Sequence, residues 1–274
     1  MENMMKQFQT KDFTITVFNS SESSFLVTAT LIEQGKQAFL INAAFTQSDS
    51  QNIVDYLKEK GLELEKVYII HGDPDYYFGL ETIKKAFPNS IAYASIPTIE
   101  HILHSVQGKL AVWGPQLGND APSNVVLPKA LTGNVISFAG QEFTLIGDDD
   151  HRLNLYNKDN RLLIGGIDTF NEIHIFLADT ATNEKMRAWI KRLDSLLALD
   201  AELVIPSHAD GLASFDKTAL QATRDYLTVS LEVLEAAKDS ATFVAKMTER
   251  YPNYLNTGVL ALGAKVVTGE MTWG

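Results

Sequence analysis

Hydrophobic positions recur along the chain with two different periods. "FTITVF" (13–18) alternates apolar and polar residues, the period-2 pattern of a strand with one buried face. "SFLVTATLIEQGKQAFLINAAF" (24–45) predicts two strands around the polar turn "EQGKQ". A helical period follows in "SDSQNIVDYLKEKG": Ile53, Val54 and Leu57 share a face, Ser48 or Asp49 can cap it, and Gly61 lies just past its end. "EKVYIIH" (65–71) is too apolar for a strand with a wet face and predicts a short buried one. "YFGLETIKKAFPNS" restarts a helix that Pro88 ends, and "SIAYASI" (90–96) is the next strand, giving a βαβ-like unit.

Further along, "TIEHILHSVQGKL" has helical spacing, and the Gly- and Pro-rich "VWGPQLGNDAPSNVVLPKALTG" predicts a long loop with short strands. "NVISFAGQEFTLIG" (134–147) predicts a hairpin turning at Ala139-Gly140, and residues 152–168 a second one turning at "NKDN". The clearest helix is "NEKMRAWIKRLDSLLALD" (183–200), where Met186, Trp189, Ile190, Leu193, Leu196 and Leu197 keep 3–4 spacing behind a Thr182 or Asn183 cap. "AELVIPSH" follows as a buried strand ending in His208, and then come two helices and a weakly helical tail. No composition shift marks a linker, so residues 1–274 are expected to form one domain, with a helical extension from about 215. Strands, a βαβ unit, more strands, then helix and strand predict an α+β protein with two sheets and helices outside them.

Composition narrows the function. A chain of 274 residues with 45% hydrophobic residues can build a core without staples. The net charge of −11, with no local run of Lys or Arg, argues against a nucleic-acid partner or an anionic membrane surface. There is no cysteine, which excludes disulfides, thiolate metal sites and cysteine nucleophiles. No stretch approaches 18 apolar residues and the N-terminal segment lacks a leader pattern, so a cytoplasmic location is expected.

Three segments share one design, a strand that runs out into groups able to ligate a metal: "YIIHGDPDYY" (68–77), "TLIGDDDHR" (144–152) and "LVIPSHADG" (203–211). "LLIGGIDTF" adds Asp168 past a fourth strand. Taken singly these are ordinary. An Asp in "DPD" is a turn residue about half the time, and a lone His208 after an apolar strand is more often a satisfied core histidine. His101, His104 and His174 have no acidic cluster around them in sequence and are expected to be surface or structural. Together, though, these aspartates would repel one another strongly, and two cations would remove that penalty.

Here the chain resembles the metallo-β-lactamase-fold superfamily. That family's motif is a strand leading into His-x-His-x-Asp-His, and this chain reads His71-Gly72-Asp73-Pro74-Asp75-Tyr76. His71 and Asp75 fit, Asp73 and Tyr76 replace histidines, and Gly79 fits the glycine that opens the next helix. Asp148 stands where the family places its next histidine, with His151 three residues on. Ile167 takes the place of the bridging aspartate, with Asp168 one residue late, and Ile205-Pro206-Ser207-His208 matches the last motif.

The resemblance spans roughly residues 13–212 and implies a four-layer αββα sandwich. It also implies one or two divalent ions (zinc, manganese or iron) held by His71, Asp73, Asp75, Asp148, Asp168 and His208. His71 and Asp73 would hold one ion with Asp148; Asp75 and His208 would hold another, helped by Asp168 or the Tyr76 hydroxyl. The oxygen-rich set favours harder ions than a histidine cage does. The implied activity is hydrolysis of a small ester, lactone, thioester or phosphodiester by metal-bound water, with Asp75 orienting or deprotonating that water beside Tyr76. The alternative is a non-catalytic or redox-type member that kept the fold and lost or altered the centre. A metal-free base, His151 with Asp149, is a third idea. Tyr76, Tyr77, Phe78 and Trp113 suggest a partly apolar pocket, and the 97–134 segment and C-terminal helices offer surfaces for a homodimer.

Overall fold

The computed structural model describes residues 4–273. An antiparallel meander comes first: β1 (Met4–Gln9), β2 (Thr14–Asn19), β3 (Thr28–Gln34) and β4 (Gln37–Ile41). Helix α1 (Gln47–Lys60) is capped by Thr46, whose side chain accepts from the Asp49 amide; the cap thus falls two residues ahead of Ser48. Strand β5 (Glu63–Ile69) then lies parallel to β4. Helices α2 (Pro74–Tyr77) and α3 (Leu80–Ala86) and strand β6 (Ile91–Ala94) complete the βαβ unit. After helix α4 (Ile96–Leu117), β7 (Lys129–Ala130) ends a seven-stranded sheet in sequential order.

The second sheet begins with β8 (Val135–Phe138), β9 (Gln141–Ile146), β10 (Asn154–Asn157) and β11 (Leu162–Ile164), all antiparallel. At the β8–β9 turn Ala139 and Gly140 both have positive φ (49° and 76°), the geometry that matches strand twist in a two-residue hairpin. Short β12 (Phe170–Asn171), helix α5 (Asn183–Leu197), β13 (Leu203–Ile205) and β14 (His208–Ala209) follow. Strand β13 adds parallel to β11, and β14 pairs parallel with β12 in a small sheet of two. Helices α6 (Lys217–Ala236), α7 (Ser240–Arg250) and α8 (Thr257–Val267) end the described chain.

The two large sheets meet through aromatic rings. Phe13, just before β2, and Phe39 of β4 pack on Phe138 and Phe143 of the second, with centroids 5.6 to 6.0 Å apart. Helix α1 buries Ile53, Val54 and Leu57, and α5 buries Met186, Trp189, Leu193 and Leu196, the faces that the sequence period predicts. Each such side chain contributes about 1.5–3 kcal/mol when fully buried. The result is the α+β sandwich with helices on its outer faces.

Helix α4 differs from expectation. The Gly and Pro content predicts a loop from Val112, yet the helix runs on through Gly114 and Pro115 to Leu117. Trp113 explains the extension: its ring packs edge-on against Phe25 and Phe45, at 5.2 and 5.6 Å, which offsets the lost proline hydrogen bond. Gly79 sits where two segments nearly touch. A Cβ there would lie 2.1 Å from the Ala43 carbonyl oxygen, so only glycine lets α3 start against the β4–α1 connection.

Candidate active site

The ends of β5 and β14 meet at one edge of the sandwich. His71 lies two residues past β5, Asp73 is the cap position of α2, and Asp75 and Tyr76 lie within that short helix. His208 opens β14. These groups converge although more than 130 positions separate Tyr76 from His208: the Tyr76 hydroxyl is 3.0 Å from His208 Nε2. Asp75 Oδ2 is 3.3 Å from the same nitrogen. His71 Nδ1 is 3.5 Å from Asp73 Oδ2 and accepts from the Asp73 amide at 3.3 Å.

Backbone geometry fixes the His208 tautomer. Its Nδ1 lies 2.9 Å from the Phe25 carbonyl oxygen, which can only accept, so Nδ1 carries the proton and Nε2 presents a lone pair to Tyr76 and Asp75. Phe25 and Leu26 both adopt left-handed backbone (φ 58° and 57°), the turn that aims this carbonyl at the ring.

Burial sets the charge states. His71 and His208 are 7% and 5% exposed, and desolvation lowers both pKa values to about 4, against a smaller opposing pull from Asp73 at His71 and from the Phe25 carbonyl, then Asp73, at His208. Both are therefore neutral at pH 7. Asp75 is 8% exposed; burial, and then the Asp73 charge, push it up to about 8. The Asp75–His208 contact is thus a neutral acid beside a neutral base at pH 7, although its distance alone would pass for an ion pair. Tyr76 is driven well above its ordinary value by burial and by Asp75, so its hydroxyl stays a donor. Asp73 behaves oppositely. Burial would raise it, but His71 and Lys109 outweigh that and hold it below the usual carboxylate range.

Two groups that sequence reading set aside or passed over belong to this cluster. The Lys109 ammonium lies 3.0 Å from Asp73 Oδ1, and His101 Nε2 lies 3.9 Å from the same oxygen. Both come from α4. His101 also stacks edge-on to His71, at 5.5 Å, and its ring fills the space beside Gly72, where a Cβ would come within 2.7 Å. The helical spacing of "HILHSVQGK" was visible, but no local signal says which face meets a strand end 30 residues earlier.

Two expected ligands lie elsewhere. Asp148 is exposed on the loop after β9. Asp168 is fully buried and clamped by Arg152 Nη1 at 2.8 Å and Arg192 Nε at 2.8 Å, while its carbonyl accepts from the Trp189 indole. Arg152 itself lies over the Trp189 ring, at 4.6 Å. His151 is exposed, its ring 6.2 Å from that of His101; its amide donates to Asp149.

The residues therefore do not fit a complete two-metal centre. The donors come together as two pairs, His71 with Asp73 and Asp75 with His208; the first does not gain the exposed Asp148, and the second gains the Tyr76 hydroxyl but not Asp168, which the two arginines hold. Among the described residues, no three His, Asp or Glu side chains are arranged to hold one ion. The repulsion that called for two cations is relieved by Lys109 at Asp73, by two arginines at Asp168, and by a proton on Asp75.

Solved structures share this architecture. A beta-lactamase domain protein from Burkholderia ambifaria superposes with a TM-score of 0.64 at 16% identity, covering 93% of this chain and 84% of that one. A metallo-beta-lactamase from Hirschia baltica gives 0.56 at 16% identity, over 83% and 98%. One from Pontibacter korlensis gives 0.57 at 15% identity, over 83% and 99%. At such identities the likeness shows the fold alone. No curated protein matches the sequence. The family model described as the metallo-beta-lactamase superfamily, whose members are typically hydrolases dependent on one or two divalent ions, matches residues 24–208. On that match, joined to the sandwich around it, the chain belongs to the metallo-β-lactamase superfamily.

Proposed function

We propose that the chain is a hydrolase of a small acyl or phosphoryl compound in which Asp75 and His208, rather than a complete two-metal centre, handle the proton. The observation that carries this reading is the Asp75–His208 contact at 3.3 Å, with Asp75 held up at about 8 and His208 down at about 4. At neutral pH one group keeps a proton to give and the other a lone pair to receive one. That is the division of labour general acid–base catalysis needs. The Tyr76 hydroxyl, on the same His208 nitrogen, orients the ring and keeps it in place. Tyr77 and Phe78, the last residue and the C-cap of α2, are almost fully buried, as is Tyr76, and anchor this short helix in the core.

The test is turnover on a panel of one ester, lactone, thioester and phosphodiester, with enzyme dialysed against chelator. Wild type is expected to turn over at least one class, and Asp75→Asn to lower kcat by about 10²–10⁴-fold with the fold intact. Equal turnover by Asp75→Asn would refute the assignment. A second reading, a binding module, is favoured by how closed the cluster is, with Asp75, His208 and Tyr76 at 8%, 5% and 0% exposure. It predicts no turnover on any class.

A further inference from the structure

The superfamily's centre is built around cations, and this chain places a cation of its own at the same strand end. We propose that the Lys109 ammonium is the resident cation of the centre: it holds the Asp73 oxygen that a divalent ion would take, so that lysine and metal are alternative occupants of one place. The inference rests on the reading that the centre works without a complete metal site, and it concerns a different pair of groups.

Three observations carry it. The ammonium lies 3.0 Å from Asp73 Oδ1, and the side chain is 28% exposed, so the pair is largely out of water. Two imidazoles face the same carboxylate, His71 Nδ1 at 3.5 Å from Oδ2 and His101 Nε2 at 3.9 Å from Oδ1. Two nitrogens and one carboxylate form a donor set that zinc or manganese accepts, yet with the ammonium present these groups do not form a metal-holding trio. Finally, α4 is fixed rather than draped. Trp113, one turn beyond Lys109, is wedged against Phe25 and Phe45, and the His101 ring fills the space that Gly72 leaves open. The lysine is therefore delivered to Asp73 by a packed helix. It acts through Asp73 and is a positioning residue.

The experiment is calorimetric titration of the full chain with zinc alone and with manganese alone, comparing wild type, Lys109→Met and Lys109→Arg. Methionine keeps an unbranched stem and removes the charge. Lys109→Met is expected to bind one ion per chain at least about tenfold more tightly than wild type or Lys109→Arg, and Asp73→Asn added to it is expected to abolish the gain. Wild type binding one ion as tightly as Lys109→Met, or no gain in Lys109→Met, would overturn the proposal. Where Lys109→Met does not fold, Lys109→Gln takes its place with the same two outcomes. The acid–base reading stands or falls separately, on turnover by Asp75→Asn.

Discussion

Asp75 and Asp168 are both buried aspartates beyond strand ends, and the protein treats them in opposite ways. Asp168, fully buried, sits between two guanidiniums, each within 2.8 Å, and its backbone carbonyl accepts from the Trp189 indole of α5. Every oxygen has a cationic donor, so the carboxylate is locked into the scaffold. Asp75, 8% exposed, has no guanidinium or ammonium in contact among the described residues but the neutral His208 beside it; burial, and then the like charge of Asp73, make it keep its proton up to about pH 8. A carboxylate given paired cations becomes a structural joint, whereas one denied them stores a proton at neutral pH. The difference separates a proton-holding aspartate from a structural one where the sequence shows only Asp in both places.

The comparison breaks most directly at Asp168. Asp168→Ala leaves Arg152 and Arg192, with side chains only 12% and 10% exposed, as unpaired buried charges. Loss of one partner from such a buried arrangement costs about 3–5 kcal/mol. A lowered urea midpoint at unchanged slope is the expected result. An unaltered midpoint would mean the clamp carries no stability and the contrast with Asp75 is empty.

Asp75 sharpens the comparison through pH. Between about pH 4 and pH 8 the folded protein holds a proton on Asp75 that the unfolded chain has released, so stability falls as pH rises across that window. His71 and His208 act in the other direction. Their folded values near 4 lie below the ordinary 6.5, so their contribution is present above 6.5 and lost as pH falls toward 4. Asp75→Asn removes only the first effect. The stability of Asp75→Asn relative to wild type is expected to grow from pH 4 to pH 8, by at most about 1.4 kcal/mol per unit. Parallel pH curves for the two proteins would show that Asp75 is not held protonated. In turnover, the same values predict a plateau falling off below about pH 4 and above about pH 8.

The architecture was largely legible because it is written in local periods. The α5 stripe, the Ala139-Gly140 turn and the apolar strand before His71 each state their own structure within a few residues. The site was legible only as far as its donors follow those strands. His71, Asp73, Asp75, Tyr76 and His208 meet because each is tied to the end of β5 or to β14. Lys109 and His101 were not legible, since their meaning depends on the angle at which α4 crosses the β5 end. Trp113 of the same helix packs on Phe25 and Phe45, contacts that no spacing rule reports. Arg152 and Arg192 escaped for the same reason: their partner, Asp168, lies 16 and 24 positions away on other elements.

Asp148 provides the smallest effect and the cleanest control. Sequence position gives it the place of a family histidine, and the repulsion argument counted it among acids in need of a cation. On the structure it is an exposed residue just past Gly147, beyond the end of β9, without the burial that makes such repulsion costly. Exposed substitutions away from caps, clamps and cores usually change stability by no more than about 0.5 kcal/mol. Asp148→Ala is therefore expected to leave both the urea midpoint and turnover at wild-type levels. A large loss of turnover with the midpoint unchanged would bring the β9–β10 loop back into the centre during catalysis, and would return to Asp148 the role its sequence position implies. The aspartates would then divide by where the loop moves as well as by where burial and guanidiniums have fixed them.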